Sequence, residues 1–158
     1  MSEFSAEGIT DDEADAAWIA LWGASEVNEG LTVVGLDLGN RSAWALVHSG
    51  GEVRTTGWFD TDRKGEGGGM KYWRFAKFVD ELLDNLRPDV VAYEEVSGSP
   101  RGASNSVALR QMGILEAALA RKGIPYASIN PMTLKKWATG SGKSKKKDMI
   151  AALRSRYP

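Results

Sequence analysis

The chain has 158 residues, of which 42% are hydrophobic and 26% charged, with a formal net charge of −1; this is one domain of ordinary globular sequence, not a disordered tail or a disulfide-stapled scaffold. With no cysteine and the single histidine His48, thiol nucleophiles, zinc ribbons and multi-histidine metal sites are excluded, and a Ser-His-Asp triad is disfavoured. Residues 1–30 carry eight acids and no Lys or Arg, whereas residues 135–158 carry eight bases and one acid, Asp148, a segregation that points to a basic surface for a polyanion.

No basic-then-apolar leader and no apolar run of about 20 residues is present, so the expected location is cytoplasmic, without a membrane partner. Residues 10–22 read as a short helix, with Thr10 as N-cap, acids in the first turn and Trp18, Leu21 and Trp22 as an apolar stripe. With a linker from Gly23 to Gly30, this gives an acidic extension over 1–30, ahead of a domain spanning 31–158. L-T-V-V-G-L-D-L at 31–38 is a buried strand. Strands at 43–48 and 53–59 follow, joined by a hairpin turn at 49–52, and the Gly-rich, charged stretch 60–69 is a loop. Tyr72, Phe75, Val79, Leu82, Leu83 and Leu86 recur at helical spacing and predict a helix over about 70–87, ended by Pro88. A strand at 90–94, a loop, and a helix capped by Ser104 or Asn105 and stopped by Gly123 come next. The chain closes with a strand at 125–129, a short helix at 133–138, a basic loop at 139–147 and a helical start near Met149. Three strands in succession, then alternating helices and strands, predict an α/β fold. It is an RNase H-like mixed five-stranded sheet, three antiparallel strands followed by parallel ones, flanked by helices.

Two acids stand where chemistry is expected. Asp37 lies among Val33, Val34, Leu36 and Leu38, where an unpaired carboxylate costs several kcal/mol; it either caps the following turn or binds a cation. Glu94 ends V-V-A-Y-E at a strand's carboxyl end, where open sheets place their ligands, although a solvated strand-end acid has the same pattern. In the predicted fold their strands are neighbours. At ~4 Å and an effective dielectric near 20, two such anions repel by about 4 kcal/mol, which a divalent cation would relieve. Lys143, Lys145, Lys146 and Lys147 sit in the Gly/Ser-rich basic loop and suit contact with DNA phosphates. This loop follows a helix and lacks the first glycine of a nucleotide-binding loop, so no nucleotide cofactor is expected. Arg101 follows Glu94 closely and is a further phosphate candidate, or a plain loop arginine. Trp137 is a core residue or a platform for a base.

G-L-D-L-G-N-R-S-A-W-A-L-V at 35–47 resembles the first motif of the RuvC-type Holliday-junction resolvases, and P-D-V-V-A-Y-E-E-V resembles their second, with Glu94 and not Glu95 at the motif's glutamate. The helix start Pro131–Lys135 and the loop Thr139–Lys146 are similar to their third region, so the likeness spans about residues 32–157. It implies a crossover junction endodeoxyribonuclease: a homodimer that cuts branched DNA by two-metal phosphodiester hydrolysis with Mg²⁺, or Mn²⁺ in its place. Asp37 would bridge both ions, Glu94 would bind one, and Lys135 and Lys146 would lie among the DNA contacts, Lys146 nearest the scissile phosphate. The compact size and acidic leader resemble phage-encoded members. The family's catalytic set ends with an Asp-Ala-x-Asp-Ala segment on its last helix; this chain reaches Tyr157-Pro158 without one, so the C-terminal acids are expected to be lacking. Asp148 matches only a polar position of that helix. Ser97 and Gly98 stand where some relatives carry an aromatic wedge, and Trp44 where glycine is usual. Two other readings accompany this one. One is a catalytically incomplete junction-binding module. The other is an ATPase of the actin/Hsp70 type, whose phosphate loop G-L-D-L-G-N resembles but whose two lobes need far more chain.

Overall fold

Apolar residues and two short turns over 32–60 produce a three-stranded antiparallel meander: β1 (Thr32–Asp37), β2 (Arg41–His48) and β3 (Glu52–Asp60). The computed structural model describes residues 4–96 and 103–158. After the meander come α2 (Gly68–Leu86), β4 (Val90–Glu94), α3 (Ala103–Lys122), β5 (Tyr126–Ile129), α4 (Pro131–Thr139) and α5 (Lys146–Arg156), with α1 (Asp11–Ser25) preceding β1. The sheet runs β3-β2-β1-β4-β5; β4 joins β1 in parallel and β5 joins β4 in parallel. The expected mixed five-stranded sheet is what forms.

Side chains alternate across this sheet and divide the core in two. On one face Val34, Leu36, Val91 and Tyr93 pack with Phe75, Val79 and Leu83 of α2 and Leu115 and Leu119 of α3. On the other, Val33, Ala43, Ala45, Val47 and Ala92 pack with α1, with Leu134 of α4 and with Met149 and Leu153 of α5.

The second face corrects the expectation of an acidic extension and a linker. α1 continues through the predicted linker to Ser25, and Ala14, Ala16, Ala17, Trp18, Ile19, Ala20, Leu21, Gly23 and Ala24 are all buried. A helix apolar around most of its circumference belongs inside a fold. Trp18, Ile19 and Leu21 alone, at roughly 1.5–3 kcal/mol each, supply an amount comparable with the whole stability of a typical domain. The close approach is written into β1: a Cβ on Gly35 would stand 2.4 Å from Ala16 O and 2.4 Å from Ala20 N. The helix is tied down by Trp18 Nε1, which donates to Met149 O at 2.9 Å, and Ala6 N–H donates to Tyr157 O at 3.0 Å, so the first and last segments lie side by side.

Three smaller differences have local causes. α4 begins at Pro131 because Asn130 caps it, its side chain accepting from Met132 N–H at 2.9 Å. α5 begins at Lys146, since Asp148 accepts from Lys145 N–H at 2.8 Å and closes the first turn. The expected basic loop therefore shrinks to Gly140–Lys145, and Lys146 and Lys147 are helical. Trp44 also finds a purpose: it pairs across the sheet with Gly57, and its indole fills the space where a Cβ on Gly57 would stand 2.6 Å from the ring.

Candidate active site

In β1, Val33, Gly35 and Asp37 share the face covered by α1; in β4, Ala92 and Glu94 do. The parallel register pairs Gly35 with Ala92 and Leu36 with Tyr93, so the next step sets Asp37 beside Glu94 at the carboxyl ends of adjacent strands, about 4.8 Å apart in backbone. Glu95 turns elsewhere and accepts from the Ser128 hydroxyl at 3.0 Å. The expected convergence of Asp37 with Glu94 is present.

Two further carboxylates act on this place through their charge, and both come from α1. Burial raises the Asp37 carboxyl well above the ordinary carboxylate range, followed by the negative charges of Asp15, Glu94 and Asp12, with Lys146 opposing. Glu94 rises from 4.5 to about 7, again through burial and then Asp15, against Lys135 and Lys146. Asp15 itself rises to about 6. Asp15 is thus the neighbouring charge felt most strongly by both strand acids, and it comes from α1 and not from the last helix, where the catalytic acids are expected to be lacking. Residues 12–16 read D-E-A-D-A, with the same three-residue spacing of aspartates as the segment that the resemblance places on a last helix. The spacing was visible in the sequence. It is masked because acids in a first turn also suit the helix dipole, and only packing tells which they serve.

The first turn is built to hold these acids steady. Thr10 and Glu13 form a reciprocal capping box, with Glu13 N–H donating to Thr10 Oγ1 at 3.2 Å and Thr10 N–H donating to Glu13 Oε2 at 3.0 Å. Glu13 Oε1 then accepts from the Thr56 hydroxyl at 3.0 Å, pinning the turn to β3. The turn after Asp37 is held from the opposite face. The buried Gln111 amide accepts from Gly39 N–H and donates to Gly39 O, each at 2.8 Å, while buried Thr61 donates through its hydroxyl to Asn40 O at 2.8 Å. Arg74 supports Thr61 by donating to its carbonyl at 2.8 Å and is ion-paired with Glu66.

Of the expected cations, two face the acids. Lys146 Nζ lies 3.4 Å from Asp12 Oδ1, and its charge, with that of Lys135, pulls the site acids down. Burial opposes the charge on Lys146, but Asp15, Asp12 and Asp37 outweigh it and raise its pKa. Lys143, Lys145 and Lys147 are exposed around the start of α5. Arg101, Ser97 and Gly98 lie outside the described residues. Trp137 stands edge-on to Trp18, ring centroids 5.8 Å apart, and remains partly exposed. Asp148 caps α5 and is spent there.

The candidate donors are carboxylates, hard oxygen ligands of the kind that bind Mg²⁺ or Mn²⁺. Among the described residues no three acidic or imidazole side chains stand close enough to form a ready metal cage. Their chemistry fits a divalent cation all the same: Asp37, Glu94 and Asp15 are each raised by burial and by neighbouring carboxylates, against Lys146, and would gain from a nearby positive charge.

No protein-family model matches the chain. It is 38% identical over 78 residues to the crossover junction endodeoxyribonuclease RuvC of Paenarthrobacter aurescens, covering 49% of this chain and 41% of that protein. To the enzyme of the same name from Corynebacterium glutamicum it is 31% identical over 131 residues, covering 80% and 59%. The chain thus spans about two fifths to three fifths of these curated relatives. In fold it is similar to Thermus thermophilus RuvC in complex with a Holliday junction substrate, with a TM-score of 0.68 at 20% identity over 79% of this chain and 78% of that one. The yeast mitochondrial Holliday junction resolvase is also similar, with a TM-score of 0.55 at 14% identity over 92% and 75%. In sequence and in fold, the chain is similar to the RuvC-type Holliday-junction resolvases over the part of those proteins that it spans.

Proposed function

We propose that this protein is a metal-dependent endonuclease that cuts branched DNA of the four-way-junction type, acting as a homodimer with Mg²⁺ or Mn²⁺. The observation that carries this reading is the placement of Asp37 and Glu94 at the carboxyl ends of adjacent strands, with the charges of Asp15 and Lys146 acting on both. The four acids would hold the cations. When bound, the cations would lower the pKa of a water and stabilise the leaving 3′ oxygen of an in-line displacement at phosphorus. The residues supply the rest. Asp37 and Glu94 fix one wall of the site on rigid strands, and Asp12 and Asp15 the other on α1. Lys146 and Lys135 receive the phosphate and offset the acids' repulsion of it, while Lys143, Lys145, Lys147 and Arg101 add sequence-independent phosphate contacts. Acids in addition to Asp37 and Glu94 favour a nuclease over a binding module that has lost its chemistry, and the homodimer is proposed on the resemblance to the resolvases alone.

The test is cleavage of a labelled synthetic four-way junction and of a linear duplex, in Mg²⁺, Mn²⁺ and EDTA. Junction-selective cutting that needs a cation is expected. Asp37→Asn is expected to reduce it by about 10²–10³-fold or more while leaving DNA affinity equal or higher, because a carboxylate that repels phosphate is removed. Cutting by that variant within tenfold of wild type would overturn the assignment.

A further inference from the structure

We infer that Arg41 and Trp58 form a second DNA-phosphate binding point, on the β3 side of the acids and away from the lysines; this rests on the nuclease reading above. Asp37 pairs across the sheet with Ala43, and Ala43 with Trp58. The three therefore lie in one row and point to the same face, two strand spacings or about 10 Å from end to end. Arg41 stands on that face too, at the start of β2. α1 covers the row only as far as Ala43, which is fully buried, whereas Trp58 is 50% exposed. The first turn of α1 reaches β3 at Thr56, one same-face position short of Trp58.

Over this open indole lies the Arg41 guanidinium, its Cζ 3.9 Å from the ring centroid. A guanidinium stacked on a ring can still offer its edge N–H donors to two oxygens of one anion. Arg41 is exposed and makes no ion pair among the described residues, even though Asp60 is its cross-strand partner in register. A cation held in one orientation without an anion, beside a site that otherwise repels phosphate, is arranged for a phosphodiester. The sugar-phosphate backbone places successive phosphates of one strand several ångströms apart, so with a scissile phosphate at the acids, a nearby phosphate of the same strand reaches Arg41. The lysines on the β4 side, where Lys135 and Lys146 act on Glu94, and Arg41 on the β3 side would then grip one strand on both sides of the cut.

The probe is a fluorescein-labelled four-way junction, titrated in EDTA across a series of salt concentrations with the full chain and with Arg41→Gln, Arg41→Lys, Trp58→Leu and the double variant. Arg41→Gln is expected to weaken binding roughly tenfold and to reduce the log–log salt slope by ~0.9, the value for one phosphate contact. Trp58→Leu should weaken binding severalfold on its own and add almost nothing to Arg41→Gln, and Arg41→Lys should fall between wild type and Arg41→Gln. Thermal unfolding of each variant confirms that it is folded. Binding by Arg41→Gln within twofold of wild type at an unchanged slope, or fully additive losses for the pair, would overturn the inference while junction cleavage by the wild type left the nuclease reading standing. Wild-type protein that neither binds the junction in EDTA nor cuts it with Mg²⁺ or Mn²⁺ would remove both.

Discussion

Asp15→Asn separates the charge of the site from its shape. Burial, together with Asp12 and Asp11, outweighs Lys146 and Lys135 and lifts the Asp15 carboxyl from 3.8 to about 6. In the unfolded chain the group titrates near its ordinary value, so the folded state holds the proton over a wider range. Stability from this group is fully present below about pH 4 and is lost as pH rises through about 6. A shift of about two units at ~1.4 kcal/mol each is about 3 kcal/mol. Asp15 keeps some contact with solvent, and an asparagine amide retains part of the desolvation cost, so the gain on substitution is about 1–2 kcal/mol above pH 7. For a domain of this size each kcal/mol moves Tm by about 2–4 °C, giving a rise of about 3–6 °C. Thermal unfolding followed by circular dichroism in EDTA at pH 8 and pH 4.5 measures it. The variant is expected to melt higher than wild type at pH 8 and level with it at pH 4.5. It is also expected to lose the stabilisation that Mg²⁺ or Mn²⁺ gives the wild type at pH 8, along with junction cleavage. A variant that melts at or below wild type at pH 8, or that differs equally at both pH values, would refute the picture of an acid cluster held against its own repulsion.

Replacing Lys143, Lys145, Lys146 and Lys147 together should weaken branched and linear DNA binding alike and lower the salt slope by as much as ~3.6, read by fluorescence titration. Gly35→Ala places a methyl group against the backbone of α1 at Ala16 and Ala20; a loss of about 3 kcal/mol or more is expected in urea unfolding, with cleavage falling as α1 is displaced. Gln111→Leu keeps the volume but strands the N–H and C=O of Gly39, and should cost about 2–4 kcal/mol of stability. If the amide also positions Asp37, the variant needs more Mg²⁺ for half-maximal cleavage, a change that plain destabilisation would not bring at a temperature where the protein remains folded.

The order and pairing of the strands were readable from local pattern. The apolar runs around Val33, Val47 and Val91 and the turn residues between them determine the elements, and right-handed connections leave few ways to assemble them. Asp37 and Glu94 were readable for a related reason: an acid inside a run that demands burial contradicts its neighbours, and such contradictions mark function. What α1 does was decided only by the tertiary structure. A D-E-A-D-A segment in a first turn satisfies the helix dipole equally well on an isolated extension, and the alanines behind it look like helix formers. Only when Ala16 and Ala20 settle onto Gly35 do the aspartates arrive beside Asp37, more than twenty residues away in sequence. The same holds for Gln111 on Gly39 and for Arg41 over Trp58. These contacts join side chains from different elements, and no period or spacing within one element encodes them. Sequence pattern records what each segment needs from its surroundings, and packing decides which other segment supplies it.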